Sequence, residues 1–389
     1  MRWSVWGSMW GALALAGMSA PAMPQVALTA QSAAKLRQVG AEVLFWSQAQ
    51  RDANFPAMEK LFPGHVVQTG DMLHKLPHGR PLPLPEIDVD AFMDSQNVAG
   101  LIVLQDGKIR MERYKRGYAR TGRWTSFSVA KSFTSTLVGA AIMDGYIKSV
   151  SDPVTRYIPE LAGSGYDGVT IAQLLTMTSG VKWNEDYTDP NSDVAKMYSA
   201  AVPGGTDPTV AYMRTLPREF EPGSKWVYKT GETNLVGVLV TRATGKTLAA
   251  YLTQKVWKRY GMEQDAFWMV DPSGQELGGC CLSVSLRDYA RMGQLVLEGG
   301  EGVVPDGWFD DATRAHATVR EGGYGYGYQW WTFPEGRFGA IGIFGQSILI
   351  DPKTRVVIVT SAAWPKATDK ALSADRAAFQ AKVIAAASR

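Results

Sequence analysis

The chain has 389 residues, 46% of them hydrophobic and 20% charged, a globular balance long enough for one large domain or two. A formal net charge of +3 with no long basic run argues against a nucleic-acid partner held by bulk charge. The 13 Trp and 15 Tyr suit large buried surfaces and an aromatic-lined cleft.

Residues 1–22 read as an export signal. Arg2 supplies a minimal positive start, residues 3–17 are mostly apolar and small, and Ala20-Pro21-Ala22 has the form of an A-x-A cleavage site. The apolar stretch is too short and too Gly-interrupted to span a bilayer, and no Cys sits nearby to carry a lipid. The expectation is a periplasmic or secreted chain with no stable membrane insertion after cleavage. Residues 23–95 form an N-terminal extension. Within it, 31–57 is amphipathic and helical in pattern, and 62–90 is loop-like, with Pro81, Pro83 and Pro85 marking an extended run.

Residues 100–105, the turn Asp106-Gly107 and residues 108–114 give a β-hairpin signal. An apolar helix follows, ending at Asp144-Gly145. Between 151 and 280 helical patterns dominate, strongest over 171–177 and 234–252. Strand signals return at 326–333, 338–350 and 355–362, with Asp351-Pro352 as the last turn, and 370–387 closes the chain as a helix. The prediction is an α+β fold. An antiparallel sheet with flanking helices is built from 96–150 and 281–389, with a mostly helical region, 151–280, inserted between.

The only cysteines, Cys280 and Cys281, are adjacent. Neighbouring side chains diverge and bridge only with strain, so two small buried residues are expected rather than a vicinal bridge or a reactive pair. The histidines His65, His74, His78 and His316 form no H-E-x-x-H, and no Cys/His cluster has metal-ligand spacing. No metal or cofactor is implied.

Ser128 and Lys131 stand three apart at the start of the apolar helix, on one face. A serine hydroxyl needs a base, and a lysine among apolar neighbours can lose its proton to become one, because desolvation disfavours its charged form. The N–H groups and positive dipole end of the first turn favour the same neutral lysine and a developing oxyanion. Ser126, Ser132 and Ser135 crowd the same helix. Downstream, Pro222-Gly223 leads to Trp226 and Tyr228 just before a further helix. A tyrosine beside a cationic lysine shares its proton more easily, so Tyr228 is a candidate relay to the leaving group. In Gly342-Ile343-Phe344-Gly345-Gln346, glycines let a substrate lie against the backbone. The N–H of Ile343 could then pair with that of Ser128 as an oxyanion hole.

Taken in this order, these segments resemble the serine β-lactamase and penicillin-binding-protein superfamily. The resemblance is to its class C-like branch, and most closely to the 6-aminohexanoate-dimer (nylon-oligomer) hydrolase group. Ser128-Val129-Ala130-Lys131 looks like the first motif, and Pro222 to Tyr228 is similar to the P-G-x-x-F-x-Y segment. Leu174-Leu175-Thr176-Met177-Thr178-Ser179-Gly180 resembles L-L-x-x-T-S-G. Arg287-Asp288-Tyr289-Ala290-Arg291-Met292-Gly293 looks like the D-x-A-R-F-G helix, and Gly342 to Gln346 like the G-I-x-G-Q form of the third motif. The matches cover about 101–360, most of the chain. Glu185-Asp186-Tyr187-Thr188-Asp189-Pro190 resembles the aromatic-acidic loop with which nylon-oligomer hydrolases cover substrate, which makes Tyr187 a candidate contact to the scissile amide. By the same resemblance Thr230, Phe344 and Gly345 are candidate substrate contacts.

The departures redirect the expectation. Thr230 stands at the asparagine of Y-x-N, Lys353-Thr354-Arg355 falls in a turn instead of supplying K-T-G, and Ser192-Asp193-Val194 is not S-D-N. No E-x-x-L-N is present to position a deacylating water. The resemblance therefore implies a serine hydrolase acting on a small-molecule amide or ester through an acyl-enzyme. A penicillin-recognising protein (a weak β-lactamase, a DD-peptidase or an acylating sensor) is the alternative. Among unrelated patterns, Thr244-Gly245-Lys246-Thr247 lacks the first glycine of a Walker A loop, where Val240 stands, and no G-x-S-x-G elbow occurs.

Overall fold

The computed structural model describes residues 42–85, 87–199, 207–300 and 302–389; the expected export signal lies outside them. Strands are numbered β1 (Gly64–Val67), β2 (Val98–Gln105), β3 (Lys108–Tyr114), β4 (Trp124–Thr125), β5 (Ala266–Met269) and β6 (Leu282–Val284), then β7 (Ala317–Arg320), β8 (Tyr324–Tyr326), β9 (Trp331–Thr332), β10 (Phe338–Ile341), β11 (Ser347–Asp351) and β12 (Val356–Ala362). The large sheet is antiparallel, with order β3-β2-β12-β11-β10-β9-β8-β7. The early hairpin thus pairs with the C-terminal strands, as the pattern predicts. Its turn is the two-residue kind that needs positive φ twice, and Asp106 (φ 49°) and Gly107 (φ 70°) supply it.

β12 is buried along its whole length and β2 everywhere but its last residue. Successive side chains of a strand face opposite ways, so layers cover both faces. Three of the helices are labelled by their place in the chain: α1 (Ala130–Met143), α2 (Thr230–Thr244) and α3 (Leu286–Leu297), joined by the closing helix α4 (Lys370–Ala387). α3 lies on β2, β11 and β12, and α4 packs on β12. Phe379 of α4 stacks on Phe92, ring centroids 3.8 Å apart. Asp369 caps α4 by accepting from the N–H groups of Ala371 and Leu372.

The second sheet, β1-β5-β6-β4, is not visible in the sequence pattern. It takes one strand from each expected region: the extension, the two parts of the main sheet, and the insert. β1 corrects the loop-like reading of 62–90. Residues 42–57, expected as part of one helix, divide into the turn Val43–Phe45, the helix Gln48–Asn54 with a Ser47/Gln50 capping box, and the turn Phe55–Ala57 containing Pro56. The helix expected over 234–252 begins earlier as α2 and stops at Gly245, whose φ of 67° caps it. Leu248–Leu252 then restarts the helical run.

The strand expected over 326–333 is also divided. Between β8 and β9 the chain turns, with Gln329 at φ 63°, and that turn sends Gln329 into the helical layer. Its amide donates to the carbonyls of Leu174 and Leu175, and it accepts from Thr233 Oγ1 at 2.7 Å and from Ser132 Oγ at 2.7 Å through its own carbonyl. One residue, through its side chain and its backbone carbonyl, thus ties sheet, α1 and α2 together behind the site. Among the described residues no helix is long and apolar enough to cross a membrane.

Candidate active site

Ser128 does not sit in α1 itself but in a 3₁₀ turn, Phe127–Val129, that feeds it from β4. Phe127 takes φ 42°, an unusual backbone for a bulky residue. It is held by edge contact with Phe55 and by Phe344, centroids 5.0 and 5.2 Å away. Ser126 locks the turn to β6, its N–H donating to Leu282 O and its hydroxyl accepting from Leu282 N–H. Lys131 follows in the first turn of α1, with 1% of its surface exposed.

The lysine Nζ lies 3.1 Å from Ser128 Oγ, 3.0 Å from Thr230 Oγ1 and 2.7 Å from Gly279 O. Burial lowers its pKa to about 7, against the charge of Glu185, which raises it. A neutral amine has two N–H donors and one lone pair. Gly279 O can only accept. The Thr230 hydroxyl is committed as a donor to Glu185 Oε1, so towards Lys131 it also accepts. The lone pair is left for the Ser128 O–H, as a general base requires.

Glu185 is the side chain that sequence reasoning named without giving it a role. It accepts from the Thr230 hydroxyl, from Thr230 N–H at 2.9 Å, from Tyr187 O–H at 2.7 Å and from Trp183 Nε1. It fixes the sense of the hydrogen bonds that end at Ser128. Its signal in the sequence was only an acid between two aromatics. Gly279 was also missed: Asn234 Oδ1 accepts from its N–H at 2.7 Å and so aims its carbonyl at the lysine. We expect Glu185→Gln to lower kcat by ~10–100-fold, the worth of a hydrogen bond to a charged group. It should also move the acid limb of the pH profile to lower pH, because a charge that raises the Lys131 pKa is gone. Steady-state kinetics across pH would check both.

Tyr228 is half-buried, stacked on Trp331 at 5.6 Å and edge-on to Tyr326, with Lys131 Nζ 5.2 Å above its ring. The sequence suggested that the lysine would make it more acidic, and the structure corrects this. Desolvation, reinforced by Glu185, pushes its pKa well above the usual phenol range, and the hydrogen bond with Ser128 only partly offsets that. A lysine whose pKa is lowered to about 7 is neutral well before the phenol titrates, so it gives no support to a phenolate. Tyr228 keeps its proton and can donate it. Its loop is anchored by the buried pair Lys229–Glu232, 3.7 Å apart, with Ser179 and Tyr166 also donating to Glu232. That is the structural work of the Thr178-Ser179-Gly180 segment.

The segment after β10 is a 3₁₀ turn, Ile343–Gly345, rather than a continuous strand edge. A Cβ on Gly342 would lie 2.6 Å from Ser126 O, which sets this turn against the Ser128 turn; Ile343 and Ser128 line one cavity. Tyr187 and Thr230 line it too, as expected. Phe344 and Gly345 do not. Phe344 (φ 60°) turns into the core between Phe55 and Phe127, and a Cβ on Gly345 (φ 93°) would meet Trp364 at 2.5 Å. Both shape the turn instead of touching the cavity.

Cys280 and Cys281 also face the cavity and are disulfide-bonded to each other. This overturns the expectation of two unbridged residues. Cys281 takes φ 68°, a left-handed backbone that brings its side chain back to its neighbour. Among the described residues no group of three His, Cys, Asp or Glu could hold a metal ion.

A serine–lysine–tyrosine cluster of this geometry, its lysine buried, has counterparts in known proteins. The beta-lactamase family profile matches residues 88–382. A 6-aminohexanoate-dimer hydrolase of Paenarthrobacter ureafaciens is 32% identical over 298 residues, 72% of this chain and 76% of that one. A beta-lactamase of Pseudomonas fluorescens is 27% identical over 184 residues, 45% of this chain and 48% of its own. Among solved structures, a Bacillus anthracis protein provisionally named a 6-aminohexanoate-dimer hydrolase superposes with a TM-score of 0.76 at 22% identity, covering 86% of this chain and 93% of that one. The fold predicted from the motifs is therefore the observed one, and the chain belongs to the beta-lactamase family, as a serine-hydrolase relative of 6-aminohexanoate-dimer hydrolase.

Proposed function

We propose that the protein hydrolyses a small amide or ester through an acyl-enzyme on Ser128. The observation that carries this is the bonding of Lys131, whose two N–H groups have fixed acceptors and whose lone pair faces Ser128 Oγ at 3.1 Å. Lys131 takes the serine proton as Oγ attacks the carbonyl. Tyr228, kept protonated by burial, donates to the leaving nitrogen or oxygen and recovers a proton from Lys131. The N–H groups of Ser128 and Ile343 hold the oxyanion. Water then releases the acyl group with Lys131 as base. Tyr187, whose hydrogen goes to Glu185, offers only lone pairs to substrate, which suits an amide N–H.

The name of the Paenarthrobacter relative supports a linear amide, and the replacement of the Y-x-N asparagine by Thr230 favours an amidase or esterase over a β-lactamase. Incubation with p-nitrophenyl butyrate tests this. Sustained turnover is expected; a single stoichiometric burst would replace the hydrolase by an acylating, penicillin-recognising protein. We also propose export of the mature chain. The A-x-A site and a disulfide, which persists in oxidising compartments, support it, and N-terminal sequencing of protein recovered outside the cytoplasm would locate the cleavage.

A further inference from the structure

The cavity beside Ser128 encloses about 90 Å³. Its walls come from several parts of the chain. Met58 belongs to the N-terminal extension, Val194 to the helix Asp193–Ser199, and Met269 to β5, while Leu277 and the Cys280–Cys281 disulfide come from the loop before β6. Among the described residues that line it there is no Asp, Glu, Lys or Arg. The charged side chains hydrogen-bonded to Ser128 and Thr230 of the lining are already used. Lys131 is held by Ser128, Thr230 and Gly279, and Glu185 accepts from Thr230, Tyr187 and Trp183. Residues 200–206, which follow the Val194 helix in sequence, carry no charged side chain. Tyr228, the leaving-group donor, is absent from the lining. Ser128 and Tyr187 sit at its mouth, where the scissile bond would lie, and the apolar remainder of the lining extends away from the leaving-group donor.

We propose that this cavity is an acyl pocket for uncharged, apolar carboxylic acyl groups, and that the Cys280–Cys281 disulfide is the part of its wall that limits acyl length. The proposal rests on the serine-hydrolase mechanism above and names its substrate class. A carboxylate or ammonium on the acyl chain would lose its hydration and find no partner, whereas methylenes gain by leaving water. The disulfide is suited to a wall. Its segment is pinned by Trp268 Nε1 donating to Cys280 O at 3.2 Å, Met269 N–H donating to Cys281 O at 3.1 Å, and the Gly279 carbonyl on Lys131. Bonding the two sulfurs to each other also removes the free thiols that would otherwise face an acyl-enzyme.

The test is a series of p-nitrophenyl esters with one leaving group and different acyl chains: hexanoate, hydrogen adipate and 6-(trimethylammonio)hexanoate, each corrected for its rate without enzyme. The expected kcat/KM for hexanoate exceeds both charged esters by at least ~100-fold. Equal rates, or preference for a charged ester, overturn the proposal while leaving the hydrolase intact. Failure of every ester to turn over, with no acyl adduct on Ser128 by mass spectrometry, instead refutes the mechanism, and the proposal falls with it. Ala195→Lys, on the lining helix, should raise the adipate half-ester relative to hexanoate by ~10-fold or more; an unchanged ratio counts against the pocket. Cys280→Ala with Cys281→Gly, which keeps the left-handed backbone allowed, should move the preferred chain from hexanoate towards decanoate. An unmoved optimum overturns the role given to the disulfide.

Discussion

Ser128→Ala should reduce turnover of any substrate by at least ~10⁴-fold and abolish the acyl adduct, with the fold intact by thermal melting. The size follows from the lack of a substitute. Ser126 is the nearest other hydroxyl in the chain, but it donates to Phe127 O and accepts from Leu282 N–H. Ser132 donates to Gln329 O, and Thr230 donates to Glu185. None has a free proton beside the lysine lone pair. The variant keeps the backbone N–H at 128 and that of Ile343, so the residual rate measures what the oxyanion hole and binding achieve without a nucleophile. Turnover above about 1% of the parent would place the nucleophile elsewhere and sink the mechanism.

What could be read in advance and what could not divide along physical lines. The β2–β3 hairpin was legible because Asp106-Gly107 satisfies a local backbone demand, and α4 because its period and cap are local too. β1, β4 and β6 are strands of two to four residues. They are held by partners far away in sequence, which strand propensity does not report. The 327–330 turn exists because Gln329 is satisfied by two helices that the local pattern cannot place. The same holds at the site. Ser128 and Lys131 declare themselves by spacing within one turn. Glu185 acquires a role only from donors contributed by three other side chains and a backbone N–H, and Phe344 loses one because its positive φ turns it into an aromatic cluster. The acidity of Tyr228 is a property of what surrounds it once folded, so proximity to a lysine in an assumed motif gave the wrong sign.

Activity should rise with pH through the Lys131 titration. Burial lowers that pKa to about 7, and only the neutral amine can take the Ser128 proton. kcat/KM should therefore climb by about tenfold per pH unit below 7 and level off above 8. Tyr228 imposes no alkaline limb in this range, because its pKa is raised rather than lowered. Lys131→Ala and Lys131→Arg separate the base from mere positive charge. Arginine stays protonated at every accessible pH, so if the lysine works by losing its proton, both variants should lose ~10³-fold or more and show no rise through pH 7. If instead its charge were what mattered, the arginine variant would retain most activity and the parent would fade as pH rises. A flat parent profile between pH 5 and 8, or an active arginine variant, would remove Lys131 from the role of base.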